Sequence, residues 1–409
     1  MSGDDWVASI RAHFPILERF AYLNTGSTGP IPNEHADAAR REAERGQETG
    51  RGNMATFGLH IETRERARRL AARLLGADFS EIALVHHSSE AVNIVLWGLD
   101  WRRGDRVVAT SLEHDAVSVP LGLLRERLGI ELDFAEVGNG ERAVDGIERA
   151  LSSGARLVTV SHVAYGTGAL LPLAEIVELA HRAGALVLVD GAQAAGAMPL
   201  DLHALGVDFY TVSGQKWLCG PEGTGALYIR SDRLSEVRPT FAGYFSAGKH
   251  DHRGRVELHP DARRFELGMM NRPCVAGFEA SLRLTLDEVR VERAWLRSLE
   301  LAALCRRSLE SLAGVRILTP VKQASQLLSF DLPAFPPAHL NSLAMRLVER
   351  GVIIRSIDHP PYALRASLGY FNTAGEVNAL VDAVREALRK RPDGIALVDS
   401  ARGLPTRRV

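Results

Sequence analysis

The hydrophobic pattern between about residues 78 and 230 alternates between strand-like and helix-like segments. Strand-like segments occur at 82–85 (IALV), 105–110 (DRVVAT), 156–162 (RLVTVSH), 185–190 (ALVLVD) and 208–213 (DFYTVS), and the last two are continuous apolar runs. Helical patterns lie between them, at about 91–99, 120–129 and 172–184. Strands that are apolar at nearly every position are typical of sheets buried on both faces. The pattern therefore predicts an α/β architecture in which helices cover a mainly parallel sheet.

The pattern changes after about residue 275. The remaining predicted elements are, in chain order, a long helical stretch (about 276–312), a strand (325–332), a helix (338–350), a strand (352–356) and a helix (about 374–389). This mixture predicts a smaller α+β C-terminal domain over residues 276–390, following a large domain over residues 14–275. Residues 391–409 show no periodicity, and we expect them to form a loose tail.

Composition narrows the possible functions. The chain has 409 residues, with 49 Lys and Arg against 50 Asp and Glu, and no basic run before the last few residues. We therefore expect no binding to nucleic acid or to an anionic membrane. The acidic, amphipathic N-terminus does not resemble a signal peptide, and no apolar run reaches the roughly 18 residues of a membrane span. Three cysteines without metal-ligand spacing favour a cytoplasmic protein with no metal site.

Polar residues follow several predicted strands, and two of them suggest a cofactor. Lys216 lies in SGQKWLCGPEGTGALYI (213–229), and Asp190 closes the apolar strand before it. A half-buried lysine can form a Schiff base with an aldehyde, and a buried carboxylate can keep a pyridine nitrogen protonated. The strand–loop–helix junction HHSSEAVN (86–93) offers hydroxyls and a helix start to a phosphate. In an α/β sheet, where ligands collect at strand ends, this set favours pyridoxal phosphate.

Each of these residues also has an ordinary explanation. Lys216 could be a solvated surface lysine, and Asp190 could brace a turn. Ser88 and Ser89 could cap a helix, with Glu90 in its first turn. Only the combination of lysine, aspartate and phosphate loop in one sheet favours the cofactor.

The sequence also resembles the class V aminotransferases, a family of pyridoxal-phosphate enzymes that includes cysteine desulfurases and cysteine/cystine C–S lyases. The resemblance covers about residues 14–389 and is most specific in VDGAQAAG (189–196) and in residues 213–229. It implies the fold of the type I pyridoxal-phosphate enzymes, in which the large domain contains a mainly parallel seven-stranded sheet.

The resemblance assigns four residues to the cofactor ring. Lys216 would hold the cofactor covalently, and Asp190 would pair with its pyridine nitrogen. Gln193 would hydrogen-bond the phenolic oxygen, and His114 in SLEHDAV would stack on the ring face.

The same resemblance assigns the phosphate to Ser88, Ser89, Glu90 and Ser213. Gln215 stands where the family usually carries a histidine that contacts the phosphate. Glutamine can still donate a hydrogen bond but brings no charge, so we expect the phosphate to be held less tightly.

The substrate side of the predicted site involves two arginines and a glycine-rich loop. Arg365 matches the family arginine that binds the substrate α-carboxylate, as its bidentate geometry favours. Arg355 is expected to be either a second anion contact or a structural partner of Asp358. AYLNTGSTGPIPNEHA (21–36) resembles the family loop that would bring Gly26 and Ser27 near the substrate, although a plain turn is the alternative.

The resemblance also predicts a homodimer. Residues 263–271 match a segment that usually offers a threonine to the partner's phosphate, but Met269 occupies the place of that threonine. Met269 cannot donate a hydrogen bond, so we expect dimerisation with an altered phosphate contact.

Within the family, the sequence most closely resembles the C–S lyases. The resemblance implies β-elimination from cysteine, cystine or a cysteine conjugate. Cysteine desulfurases need a cysteine shortly before the final arginine, and SIDHPPYALR (356–365) contains none. Aminotransferase, desulfurase-like and epimerase reactions share the first steps and stay open as alternatives. A nucleotide-binding protein, a metal site at His250, Asp251, His252 and His259, and a catalytically silent partner protein are less favoured.

Overall fold

Two β-sheets organise the computed structural model, which describes residues 3–251 and 253–390. The strands are, in chain order, β1 (Ala21–Tyr22), β2 (Ile82–Val85), β3 (Arg106–Thr110), β4 (Glu131–Ala135), β5 (Leu157–Ser161), β6 (Leu186–Asp190), β7 (Phe209–Ser213), β8 (Gly225–Ile229), β9 (Ala247–His250), β10 (Val256–Leu258), β11 (Arg316–Ile317), β12 (Leu327–Asp331), β13 (Val352–Ile353), β14 (Arg355–Ile357) and β15 (Ala363–Ser367).

Helices cover both sheets. The α-helices are α1 (Gly3–Arg11), α2 (Asn33–Thr49), α3 (Met54–Leu75), α4 (Ser88–Gly98), α5 (Asp115–Leu128), α6 (Ala143–Leu151), α7 (Leu173–Arg182), α8 (Leu202–Leu205), α9 (Arg272–Leu284), α10 (Val291–Glu310), α11 (Pro337–Glu349) and α12 (Ala374–Lys390). Short 3₁₀ turns occur at Pro15–Glu18, Phe79–Glu81, Ser231–Arg233 and Ala262–Phe265, and a π turn at Thr285–Val289.

The larger sheet has seven strands in the order β2-β8-β7-β6-β5-β3-β4. Only β8 runs antiparallel to its neighbours, so the predicted mainly parallel α/β sheet is confirmed. The parallel arrangement brings the carboxyl ends of the other six strands to one edge. This edge is where the predicted cofactor residues emerge.

Both faces of this sheet are buried. Along β6, Val187 and Val189 belong to one hydrophobic core, while Leu188 between them belongs to the core on the opposite face. This alternation explains the continuous apolar run in the sequence, because each side of the strand meets a helical layer.

The smaller sheet is antiparallel, with the order β11-β12-β15-β14, and has its own hydrophobic core. β1 pairs in parallel with β13, so residues near the start of the chain attach to the C-terminal part. The division into domains at residues 275 and 276 stays a prediction, and residue 275 itself lies within α9. The loose tail predicted at 391–409 lies outside the described residues, as does His252.

The long helical stretch predicted at 276–312 is instead two helices joined by a π turn. Arg290 interrupts it with φ 58°, in the left-handed region that a continuing helix does not allow. The helix predicted from Pro120 begins at Asp115, with Pro120 inside it. Within residues 3–251 and 253–390, no helix combines the length and apolar character needed to cross a bilayer.

A buried ionic cluster attaches residues 263–271 to the larger sheet. The Glu266 carboxylate bonds the guanidinium groups of Arg64 and Arg68 and also accepts from the Leu84 amide at 2.8 Å. Burial alone would raise the pKa of Glu266, but the two arginines outweigh it and hold the pKa below its usual value. All three side chains are almost completely buried, and Glu266 compensates both arginines, of which Arg68 also pairs with the partly exposed Glu65.

Replacing Glu266 with glutamine should therefore destabilise the protein strongly. The Glu266→Gln variant leaves the buried Arg64 guanidinium without a counter-charge and Arg68 with only the partly exposed Glu65, and we expect a loss of about 3–5 kcal/mol in the free energy of unfolding. Urea denaturation at fixed protein concentration measures this loss. The control is Glu178→Gln, which breaks the exposed pair with Arg182 and should cost under about 0.5 kcal/mol. Equal losses in the two variants would contradict the prediction.

Candidate active site

Lys216 lies in the loop after β7 and is half-buried at the carboxyl edge of the larger sheet. Burial lowers its pKa to about 8; the Asp190 carboxylate opposes this shift, while the Arg365 and Arg355 cations add to it. A lysine with this pKa has a substantial neutral fraction near neutral pH, and the neutral amine is the form that attacks an aldehyde.

The glycine-rich loop at residues 26–29 packs directly against the lysine loop. The Gly29 amide donates to the Gln215 carbonyl oxygen at 2.7 Å. A Cβ atom at Gly29 would lie 2.2 Å from the Lys216 carbonyl oxygen, so any larger residue would displace the lysine. Glycine is therefore required at position 29 because a side chain would not fit there.

Asp190 ends β6 and is buried beside the register partner Thr211. Its Oδ1 accepts hydrogen bonds from the Ala192 amide at 2.9 Å and from Thr211 Oγ1 at 3.2 Å. The Ala192 amide lies just after β6, and Thr211 lies within the neighbouring β7. These two donors fix the Asp190 side chain at the same edge as Lys216.

His114 caps the N-terminus of α5. Its Nδ1 accepts from the Ala116 amide at 3.0 Å, so in the neutral ring the proton is on Nε2. Burial lowers the pKa of His114, and the Lys216 charge lowers it further. The ring lies edge-on to Tyr165, with 4.5 Å between the ring centroids. His114 is therefore a neutral, fixed ring in the neighbourhood of Lys216.

Gln193 connects the substrate-side loop to the lysine loop. Its Nε2 donates to the Gly26 carbonyl oxygen at 2.7 Å, and its Oε1 accepts from Trp217 Nε1 at 2.9 Å. A Cβ atom at Gly26 would lie 2.9 Å from Gln193 Oε1. The second hydrogen on Nε2 is the one that could reach a ligand.

The predicted phosphate residues meet where β2 and β7 end. The hydroxyl of Ser213 donates to that of Ser88 at 2.8 Å, at the start of α4, whose first-turn amides have no partner within the helix. The Glu90 carboxylate instead turns back to His86 and accepts from its Nδ1 at 2.8 Å. Gln215 Oε1 is buried and has no hydrogen-bond partner among the described residues, but an amide oxygen only accepts and does not bind an anion. The groups available to an anion here are the hydroxyls and the first-turn amides of α4.

Arg365 on β15 is completely buried and lies opposite Arg355 on β14. Its Nη1 donates to the Tyr165 carbonyl oxygen at 3.0 Å, its Nη2 donates to Ser27 Oγ at 3.1 Å, and its Nε is unpartnered. Burial lowers its pKa to about 9, and Arg355 adds to this effect.

Within the described part of the chain, no carboxylate pairs with either Arg365 or Arg355, so the alternative that Asp358 braces Arg355 gains no support. Two neighbouring cations without a counter-charge form a site for an anionic group.

Two residues at this edge were not singled out from the sequence. The Glu113 carboxyl accepts from Thr110 Oγ1 and from the amide and hydroxyl of Ser161, and burial raises its pKa to about 7. His359 contacts the Tyr165 hydroxyl through Nε2. Glu113 directly precedes His114 after a predicted strand, and this position could have identified it from the sequence. For His359, the only feature in the sequence that pointed to the site was its position shortly before Arg365.

Two further sets of polar side chains lie apart from this cluster. His162 is buried, bonds the Tyr210 hydroxyl through Nδ1 at 2.9 Å, and has its pKa lowered to about 4 by burial, as a core residue would. Asp78, Glu81 and His203 have their ligand atoms close together, but Glu81 already accepts from His203 and Ser231.

Comparison with known proteins identifies the family. The sequence profile of the class V aminotransferases (Aminotransferase class-V) matches residues 21–380. The chain belongs to this family. A probable cysteine desulfurase of Methanothermobacter thermautotrophicus is 30% identical over 393 residues, which cover 92% of this chain and 97% of the relative.

Solved structures of class V relatives are similar along almost the whole chain. The cystine C–S lyase C-DES in complex with its product cysteine persulfide superposes with a TM-score of 0.87 and 30% identity, covering 91% of this chain and 99% of the lyase. A mutant of C-DES with glycine covalently linked to its pyridoxal-phosphate cofactor gives 0.86 and 30%, covering 92% and 99%. The type I fold is thereby confirmed, and the protein is a pyridoxal-phosphate-dependent enzyme.

The residues at the sheet edge fit this cofactor. A lysine of lowered pKa, a buried carboxylate and a hydroxyl pair at a helix start lie at neighbouring strand ends. Gln215 carries no charge, so the phosphate would be left to the hydroxyls of Ser88 and Ser213 and to the start of α4.

The pKa of Lys216 predicts how the cofactor-free protein takes up pyridoxal phosphate. Because the neutral amine reacts, the uptake rate should rise with pH through about 8 and level off above it. Arg355→Gln should move the midpoint to higher pH, since the Arg355 cation lowers the pKa of Lys216. Stopped-flow absorbance over a pH series measures the midpoint, and Arg255→Gln, at an exposed position, serves as the control. The same midpoint in Arg355→Gln and wild type would contradict the electrostatic explanation.

Proposed function

We propose that this enzyme is a C–S lyase that eliminates the sulfur substituent from Cβ of cysteine, cystine or a cysteine conjugate. The products are pyruvate, ammonia and a thiol or persulfide. The single observation that supports this reaction over desulfuration is the absence of a reactive cysteine near Arg365 in the described residues. The names of the relatives, cysteine desulfurase and cystine C–S lyase, support a cysteine-derived substrate.

All three cysteines are unsuited to accept sulfur. Burial raises the pKa of Cys219 to about 12 and that of Cys305 to about 12, and it also raises the pKa of the half-buried Cys274. The thiolate is the nucleophilic form, so these thiols would react slowly. The segment SIDHPPYALR (356–365), which contains the loop between β14 and β15, has no cysteine. Free thiols also agree with our expectation of a reducing cytoplasm.

Lys216 and Asp190 have complementary roles in this proposal. When bound, pyridoxal phosphate supplies an electron sink for the negative charge that develops at the substrate Cα. Asp190, fixed by the Ala192 amide and Thr211, places its charge where the pyridine nitrogen would be held. Lys216 Nζ takes the Cα proton, and its lowered pKa keeps the amine available as a base. His114, neutral and fixed, would cover the ring face.

The arginine pair orients the substrate. Arg365 would bind the α-carboxylate, since its Nε is unpartnered and its Nη2 already positions the Ser27 hydroxyl beside it. Arg355, on the neighbouring strand, would bind a second anionic group or share the first. Burial makes these charge-assisted contacts strong, because little water competes for the guanidinium groups.

We also propose that the enzyme works as a homodimer. Phe241 and Leu267 are exposed and line an apolar groove beside Ser89 and Glu90, and Met269 is exposed nearby in sequence. Contiguous exposed apolar surface is typical of an interface. The buried Glu266 cluster fixes this segment, so it is presented in one conformation.

Product analysis tests the proposed reaction. Wild-type enzyme loaded with cofactor should release pyruvate and ammonia from cysteine, cystine or S-substituted cysteine, and a variant with all three cysteines replaced by alanine or serine should retain this activity if it folds. Coupled pyruvate detection and mass spectrometry measure the products.

Other products would identify the other reactions. Alanine with sulfur bound to a protein thiol would indicate a desulfurase. A 2-oxo acid formed only with an amino acceptor would indicate an aminotransferase, and recovery of the opposite enantiomer would indicate an epimerase. Each of these results, without pyruvate, contradicts the lyase proposal.

Sedimentation velocity tests the dimer. The wild-type protein should sediment as a dimer at micromolar concentration, and Leu267→Glu should shift it towards monomer, because a charge in an apolar interface is costly to desolvate. Leu296→Glu, at an exposed position on α10, is the matched control and should leave the dimer intact. An active wild-type monomer would overturn the proposal.

A further inference from the structure

Tyr165 lies where the two sheets meet. It follows β5 of the larger sheet, and its ring packs against Leu318, Ile357 and Ala363 from the C-terminal part. Its carbonyl oxygen accepts from Arg365 Nη1 at 3.0 Å. The residue is therefore fixed beside the arginine that is the proposed anchor of the substrate α-carboxylate.

The Tyr165 ring also adjoins the proposed reacting centre. Its centroid lies 4.5 Å from that of His114, whose pKa responds to the charge on Lys216. Because Arg365 bonds the Tyr165 carbonyl and the Tyr165 ring adjoins His114, a substrate whose carboxylate is held by Arg365 would bring its Cβ substituent near Tyr165.

The Tyr165 hydroxyl is in contact with His359, and the centroids of the two rings are 5.3 Å apart. His359 Nδ1 bonds the carbonyl oxygen of Pro360 at 3.0 Å and must be the donor there, since a carbonyl only accepts. Nε2 of His359 therefore faces the phenol. Among the described residues, the contact between Tyr165 and His359 is not part of an ion pair. It is also not needed for core packing, because the Tyr165 ring already packs on its apolar side.

We propose that Tyr165 is the catalytic acid that protonates the leaving sulfur and that His359 is the positioning residue that resupplies its proton. This inference rests on the proposed lyase function. The two residues reach the site from opposite sheets, and among the described residues the Tyr165 hydroxyl has no partner besides His359.

The proton transfers balance as follows. The step uses the form of His359 that carries a proton on both ring nitrogens, with Nδ1–H on the Pro360 carbonyl and Nε2–H on the Tyr165 oxygen. In that form the phenol O–H is free to point at the substrate. As the Cβ–S bond breaks, its electron pair goes to sulfur, and sulfur takes the phenol proton. The Tyr165 oxygen takes the Nε2 proton of His359. Half-buried His359 then regains a proton from water.

A comparison of leaving groups tests this assignment. S-methylcysteine has a poor leaving group that needs an acid, whereas β-chloroalanine releases chloride without one. Tyr165→Phe should lower pyruvate release from S-methylcysteine by about 10²–10⁴-fold, the usual contribution of a general acid, and change release from β-chloroalanine by less than about tenfold. His359→Gln keeps a hydrogen bond to Tyr165 but cannot transfer a proton to it. This variant should therefore also lose more activity with S-methylcysteine than with β-chloroalanine, and the loss should be smaller than in Tyr165→Phe.

Two controls separate chemistry from packing. Exchange of the substrate Cα proton with deuterium, followed by proton NMR, depends on Lys216 and should be unchanged in Tyr165→Phe. Tyr362→Phe, at an exposed position on the same loop as His359, should behave as wild type with both substrates.

A third readout needs no turnover. In cofactor-free protein labelled with ¹⁵N-histidine, the resonances missing from His359→Gln belong to His359, and Tyr165→Phe should shift its Nε2 signal.

The outcomes are distinct. Equal losses with both substrates, unchanged rates with S-methylcysteine, or a Nε2 signal unaffected by Tyr165→Phe would each overturn the assignment. Wild-type enzyme that releases pyruvate from both substrates upholds the lyase function whatever the variants show. Wild-type enzyme that releases none from either substrate overturns the lyase function and this inference together.

Discussion

Burial of both faces of the seven-stranded sheet is the constraint on which the active site depends. Successive residues along β6 enter two separate cores, so a charged side chain within the strand would face apolar neighbours on either side. Polar groups are tolerated best at the strand ends, where backbone amides and hydroxyls are available to them. Since the parallel strands end at one edge, the packing that stabilises the sheet also gathers Asp190, Ser213 and Lys216.

The electrostatics of this edge are unbalanced in the free protein. The Asp190 carboxylate raises the pKa of Lys216. The two neighbouring cations, Arg355 and Arg365, lower it. Arg365 is the most costly of these groups, because it is completely buried and an acidic partner is lacking among the described residues. Anionic ligands would remove this cost. Binding of an anion thus offsets the desolvation cost of the buried cations, which favours substrates and cofactors with negative charge.

Functional residues at the ends of strands could be predicted from the sequence. Contacts between segments that are distant in the sequence could not. Asp190 and Lys216 could be proposed from apolar strands that end in a charge, and the parallel sheet followed from the same runs. Arg365 needed the family resemblance, because nothing near it in sequence shows that it is buried. The contact between Tyr165 and His359 joins residues that are 194 positions apart, and no local pattern marks it. The break at Arg290 was missed for a related reason, since the apolar periodicity continues through it.

Pairing of β1 with β13 has a consequence for biosynthesis. Ala21 and Tyr22 find their partners Val352 and Ile353 only after nearly the whole chain has been made, on the order of tens of seconds later at about 5–20 residues per second. Until then Leu23, which is completely buried in the finished protein, lacks its native neighbours from the C-terminal part. The N-terminal segment therefore cannot complete its native packing until synthesis of the chain is almost finished.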